Sequence, residues 1–329
     1  LGTERDDGFI GVQELFYTKD LRTASARYDV DEVRVGIQPF SSDFRGFLFQ
    51  DNQLGVRFFG NRDNNHWQYN LALFRRLEKD INSGLNDVTK GLRDDDVFIA
   101  NLYRQDFPYT GFVSQAIFAY NRNREDSSFY DSNGFIQRPA AIGRVFPRTY
   151  DVAYLGYNGD GHIGRLNLTL SAYAAFGKQK PGVFVQADTD IRAGFLAAEA
   201  SMDFDWIRWR GSLAWASGDE DPYDDRSTGF DSIFENPIFA GADTSYWIRQ
   251  NVPLIGGGGV ALASRNGLLA NLRSSKEQGQ SNFDNPGIQL LGVGADFDVT
   301  PQSRISTNIN ELWFSDTEIL KAARATADV

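Results

Sequence analysis

Residues 206–215 read WIRWRGSLAW. Ile207, Trp209, Gly211, Leu213 and Trp215 share one parity, and Arg208, Arg210, Ser212 and Ala214 share the other. A period of two marks a strand, because successive strand side chains point to opposite faces. The same alternation recurs near 8–18, 26–40, 53–60, 66–76, 96–106, 111–121, 148–157, 162–174, 190–202, 206–216, 287–297 and 303–314. Most of these runs approach the ~9–11 residues with which a tilted strand crosses a bilayer, while soluble sandwiches favour strands of about 5–6. The fold class expected is therefore all-β: a transmembrane antiparallel up-and-down β-barrel of about twelve strands, one domain over residues 1–329.

The connections carry more information than the runs. Short links rich in Asn, Asp, Gly and Pro fall at 61–65, 107–110, 158–161, 203–205 and 298–302. Long links fall between them, at 41–52, 77–95, 122–147, 175–189 and 217–286. This alternation puts all long loops at one end, as in outer-membrane barrels with short periplasmic turns and long extracellular loops.

The two parities differ in chemistry. One carries Val33, Val35 and Ile37; Leu54, Val56 and Phe58; Leu71 and Leu73; Leu166, Leu168 and Leu170; Leu291, Val293 and Phe297. On this lipid-facing parity Trp67, Tyr69, Trp209 and Trp215 suit the aromatic girdle of a membrane–water boundary. The other parity carries Arg34, Arg57, Arg165, Arg208, Arg210 and Arg304 among Gln, Asn, Ser and Thr, which suits a wet interior. Strand 111–121 has no clear polar face, and 190–202 is ambiguous because Ala and Gly dominate it.

Composition fits this reading. Mean hydropathy is −0.40 despite 14% aromatic residues, and no apolar run reaches a helical span. The formal charge of −11 leaves no basic surplus for nucleic acid. With no cysteine, disulfides and thiolate metal sites are excluded. Leu1 opens without a basic n-region or apolar h-region, so any secretory leader is expected to have been removed or to lie outside this sequence.

Two stretches resemble a known family. RVGIQPFSSDFRGFLFQDNQLGVRFF (34–59) is a strand, an aromatic turn containing Asp, and a second strand; ASGDEDPYDDRSTGFDSIFENP (216–237) puts an acidic SGDxDP-type loop after a strand. Together they resemble outer-membrane porins of the alginate-export type. The resemblance implies a bacterial outer-membrane β-barrel, a conduit rather than an enzyme, and an arginine-lined pore for acidic polysaccharide. Such barrels end on a strand with a terminal aromatic, whereas this chain ends KAARATADV, so an internal portion of a larger barrel is the expectation.

The inward arginines either line an anion path or pair with interior carboxylates such as Asp296, Glu199 and Glu311. The loop 217–286, with Ile233, Phe234, Ile238, Phe239, Tyr246, Trp247 and Ile248, is expected to fold, inward as a plug or outward as a cap. Asp219, Asp221, Asp224 and Asp225 are a candidate Ca²⁺ site, against a solvated acidic loop near lipopolysaccharide. Gly256–Gly259 reads as a hinge, His66 and His162 lack metal spacing, and Asn167-Leu168-Thr169 sits mid-strand. A Glu199–Glu311 glycosidase pair would need the fold to bring the two together. No cofactor is expected.

The partners expected are outer-membrane lipid and lipopolysaccharide, an anionic solute or polysaccharide, and a periplasmic or lumen-filling protein. Two further functions stay open: a structural barrel sheathing an electron carrier or secretion component, and a soluble β-protein binding carbohydrate through Trp and Tyr.

Overall fold

The structure is a computed structural model that describes residues 8–130, 134, 136–138, 147–241, 245–250, 252–253, 261–263, 266–273 and 275–326. Twelve long strands follow one another: β1 (Leu15–Thr23), β2 (Val30–Ser41), β3 (Gln50–Arg62), β4 (Trp67–Leu77), β5 (Leu92–Arg104), β6 (Phe112–Asn123), β7 (Tyr150–Ile163), β8 (Leu166–Gln179), β9 (Thr189–Phe204), β10 (Ile207–Ala216), β11 (Ile288–Thr300) and β12 (Ser303–Trp313). Each pairs antiparallel with the next in chain order, so the sheet is up-and-down with β1 and β12 at its edges. Short pairings occur within 129–138 and 252–263, and residues 226–227 add in parallel to β9. A helix, α1 (Glu318–Thr326), follows β12.

The expected runs and the strands coincide in order, and in parity where a parity was read, with three differences. The first strand begins at Leu15, not near residue 8. NGDG at 158–161 is not a turn but lies inside β7, where Gly159 leaves room for the Phe112 ring and Gly161 lies against the Gly111 carbonyl oxygen. The turn sits instead at Gly164 (φ +62°) and Arg165, so Arg165 belongs to a connection and not to a strand face. Strand β6 does have an inner polar set: Gln115, Asn121 and Asn123 are buried around Ile117 and Ala119.

The sheet curls. Six strand positions separate β3 from β9, roughly 29 Å in a flat sheet. Yet Arg45, in the loop entering β3, lies 3.4 Å from Glu199 of β9, and the Phe47 ring is 5.0 Å from that of Phe195. The inner face collects one core from β2 to β11: Phe40, Phe74, Ile99, Tyr154, Tyr173, Phe195, Ala214 and Leu290, closed by Phe47, Phe49, Phe230, Ile233, Phe234 and Phe239 from two loops. The long loop therefore folds inward. Ile238 alone of its apolar residues named above with described side chains stays largely exposed.

The outer face has no such cover. Leu73, Leu291 and Val293 are 55%, 56% and 58% exposed, and no described element packs over them.

Candidate functional site

The structure divides the six arginines read from the sequence. Arg208 makes a two-pronged contact with Asp203 at 2.6 and 3.1 Å, directly across β9 and β10. Arg210 reaches Asp296 at 3.2 Å and the Asn308 side chain at 3.1 Å; Asp296 is buried and Arg210 nearly so. Arg304 holds Asp298 at 2.7 Å, directly across β11 and β12. Arg165 donates to the Asp203 carbonyl oxygen at 2.8 Å from its turn. Three of the six are thus neutralised by a carboxylate, and a fourth is committed to backbone.

Arg34 and Arg57 differ. They lie directly opposite one another on β2 and β3. Like charges facing each other across strands destabilise a sheet. Neither forms a salt bridge with any described residue, although Glu32 shares the face. Neutral groups hold them instead. Arg34 donates to Thr18 Oγ1 at 2.9 Å and Arg57 to Asn70 Oδ1 at 2.7 Å. Their guanidinium carbons sit 5.6 and 4.2 Å from the Phe59 ring centroid, with Phe16 4.4 Å from Arg34 and Phe40 5.4 Å from Arg57. Aromatic faces attract cations by ~0.5–2 kcal/mol without cancelling their charge.

A cavity of about 590 Å³ opens beside Arg57. Phe40 lines it at the loop end of β2, Asn70 and Tyr103 toward the short-turn ends of β4 and β5, and Lys79, Lys276 and Glu277 among the long loops. Ser83, Gly84, Asn266 and Glu277 also line a smaller neighbouring cavity of about 190 Å³ among the loops. Phe234 borders the larger space and carries three cations over its ring: Arg76 at 5.1 Å, Lys79 at 5.3 Å and Lys276 at 4.8 Å. Lys79 is paired with Asp51 at 2.8 Å. Burial holds the Lys276 ammonium below its ordinary pKa.

A second cavity, about 370 Å³, lies against β7 to β10 and is lined by Arg45, Asp160, Thr169, Glu199, Arg208 and Arg210. Its charges are matched. Arg45 donates to Thr169 at 2.7 Å, Thr169 donates to Asp160 at 2.6 Å, and Glu199 accepts from Ser212 and from the Ala240 backbone.

Asp296 and Glu199 are interior partners of arginine, as the pairing alternative expects. Glu311 is not: it sits opposite Leu291 on the outer parity, so Glu199 and Glu311 never meet. The four acids at 219–225 also fail to converge. Asp219 is buried, Asp221 and Asp224 accept from the backbone N–H groups of Tyr223 and Arg226, and Asp225 is almost fully exposed. Among the described residues no three acidic or histidine side chains are placed to hold a metal. Of the four girdle residues, Trp67, Trp209 and Trp215 are exposed on the outer face, with Arg104 stacked 4.6 Å over Trp67, while the Tyr69 hydroxyl donates to Asp31. Gly256–Gly259 lies outside the described residues.

The sequence reading missed the arginines that fasten the loops. Arg93 makes two 2.8 Å bonds to Glu125 and one to the Glu277 carbonyl oxygen. Arg273 holds Asp231 at 2.8 and 2.6 Å within the long loop, while Arg76 ties β4 to β5 through Asp95 at 2.8 Å and meets the loop through the Phe234 ring. All three are fully buried. Asp43, the acid of the aromatic turn, accepts backbone N–H bonds from Arg45, Gly46, Phe47 and Leu48, so it shapes the turn.

No family model matches this chain, and no curated protein is similar to it.

Proposed function

We propose that the curled sheet is a bacterial outer-membrane β-barrel and a conduit for anionic solutes, acidic polysaccharide included, with Arg34 and Arg57 as its anion-contact point. The outer face supports the membrane part. On β5 it is uncharged between Asp96 and Arg104, and on β8 from Leu166 to Phe176. At ~3.4 Å per residue and a tilt near 40°, these stretches span roughly 20–30 Å, the height of the apolar band of a barrel. Ion pairs bound the band on the loop side: Arg75 with Asp94 and Asp96, Arg124 with Asp151, Lys180 with Asp188. In hydrocarbon the edges β1 and β12 need partners, either each other or further strands, because unpaired backbone groups cost several kcal/mol each.

One observation carries the transport part: two facing arginines without an ion-pair partner among the described residues, one of them lining a 590 Å³ cavity that leads toward the loops. An anion crossing that cavity supplies the missing charge. The mechanism is electrostatic and steric, with no covalent step. The inward-folded loop occupies the space that a sheathed protein partner would need, which disfavours the scaffold alternative. The bare outer face disfavours a soluble carbohydrate binder, which should stay monodisperse without detergent.

The test is single-channel recording in planar bilayers. Wild type is expected to prefer anions, and Arg34→Gln with Arg57→Gln to lose that preference. Cation preference in wild type, untouched by the double substitution, sinks the reading.

A further inference from the structure

The loop-side boundary of the outer face is a row of charges. It runs Arg75, Asp96, Arg122, Asp151, Lys178, Asp190 and Arg226, each directly opposite the next, from β4 to β9 with Arg226 beyond. The sign alternates at every step. Two residues lower, toward the middle of the sheet, the same strands present Leu73, Phe98, Tyr120, Ala153, Phe176 and Arg192. The surface therefore passes from charged to apolar within one pleat, except at Arg192. The turn ends differ: there Arg62, Trp67 and Arg104 stand side by side, with no acid between the two cations.

The charged row is not uniform. On β4 to β6 it is matched, because Arg75 and Arg122 share Asp94 and Asp96 at 2.8 to 3.7 Å. On β8 and β9 two cations share one acid. Lys178 Nζ and Arg192 Nη2 each lie 3.6 Å from the Asp190 carboxylate, on different oxygens, too far for a hydrogen bond. This common neighbour puts both cations around one point. Both are open to the outside, Lys178 76% and Arg192 60% exposed. Arg226, opposite Asp190, adds a third cation, with Asp225 3.9 Å from it. Below them the surface is apolar. Phe176 and Leu196 are half exposed, and the Trp215 ring crowds the side-chain position of Gly194.

A guanidinium level with Phe176, at the edge of hydrocarbon, needs a counter-charge. A share in one exposed carboxylate at 3.6 Å supplies little of it. A phosphate supplies more, since its oxygens accept from Arg and Lys together, and lipid phosphates lie at such a boundary. We propose that Lys178 and Arg192 bind the phosphate of a lipid headgroup on the loop side of the membrane, with its acyl chain running down over Phe176 and Leu196. The inference rests on the membrane reading above and names the partner of that reading's loop-side boundary.

The test uses the full chain reconstituted in phosphatidylcholine vesicles. They carry a trace of phosphatidic acid or phosphatidylcholine with a spin label on the acyl chain. Electron paramagnetic resonance reads the motionally restricted fraction at the protein surface. Wild type is expected to hold phosphatidic acid about fivefold more tightly, the effect of one net cation at a lipid surface. Lys178→Gln with Arg192→Gln should bring that ratio to one. Asp190→Asn should raise it, because the competing carboxylate is gone. Excess inorganic phosphate should not displace the label. Equal binding of the two lipids by inserted wild type, a preference kept in the double variant, or displacement by free phosphate overturns the proposal. The double variant should keep its anion preference in planar bilayers, because neither residue faces the interior. A loss there means misfolding, and the Asp190→Asn ratio then decides: unchanged or lower, it sinks the inference. A chain that fails to enter vesicles defeats the membrane reading itself, and this inference with it.

Discussion

The two walls of the curled sheet use the same side chain to opposite ends. On β9–β12, Arg208, Arg210 and Arg304 each meet an aspartate within 3.2 Å. On β2–β3, Arg34 and Arg57 meet each other and are steadied by phenylalanine rings and neutral oxygens. A guanidinium with a carboxylate partner is part of the wall, and its field is spent locally. One resting on a ring keeps its charge for whatever enters the cavity beside it. Counting inward arginines is therefore a poor measure of an anion path; the partners of each arginine decide.

That contrast can be broken or sharpened by substitution. The largest effect is expected from Arg34→Gln with Arg57→Gln, which should abolish anion preference in reversal-potential measurements while sparing the fold. Next, Arg210→Gln leaves buried Asp296 without its ion-pair partner, and stability should drop by about 3 kcal/mol in denaturant titrations with selectivity unchanged. Adding Asp296→Asn should restore most of that loss; failure to restore it means Arg210 acts by more than pairing. A smaller effect is expected from Phe59→Leu, which removes a ring shared by Arg34 and Arg57. The cost is ~0.5–1 kcal/mol per lost contact, read as a partial fall in anion selectivity. The smallest is Arg304→Gln: an exposed pair is worth about 0–1 kcal/mol, and neither melting nor conductance should move measurably. If Arg304→Gln changes selectivity as much as Arg57→Gln does, the two walls are not different in the way described.

Much of the architecture was legible because it is local. Period-two alternation placed eleven of the twelve long strands closely, the first lying further along the chain than expected, and separated Leu213 from Arg208, since the face of a strand residue depends only on its parity. The alternation of short and long links gave the up-and-down order. Even some partners were within reach: counting back evenly from the two-residue turn at 205–206 puts Asp203 opposite Arg208, as observed. NGDG at 158–161 was misread because its glycines serve close packing against Phe112 and Gly111 rather than a turn.

Parity and turn chemistry thus determined most strands, their order and the faces of those with a clear alternation, because each depends on a few neighbouring residues. The tertiary structure alone decided which arginines keep their charge, where the long loop lies and which carboxylates it buries. Those outcomes depend on groups far apart in the chain: Arg210 and Asp296 are 86 residues apart, Arg93 and Gly279 186. Nothing in local sequence encodes such a distance; it is set when the sheet curls and the loop folds into it.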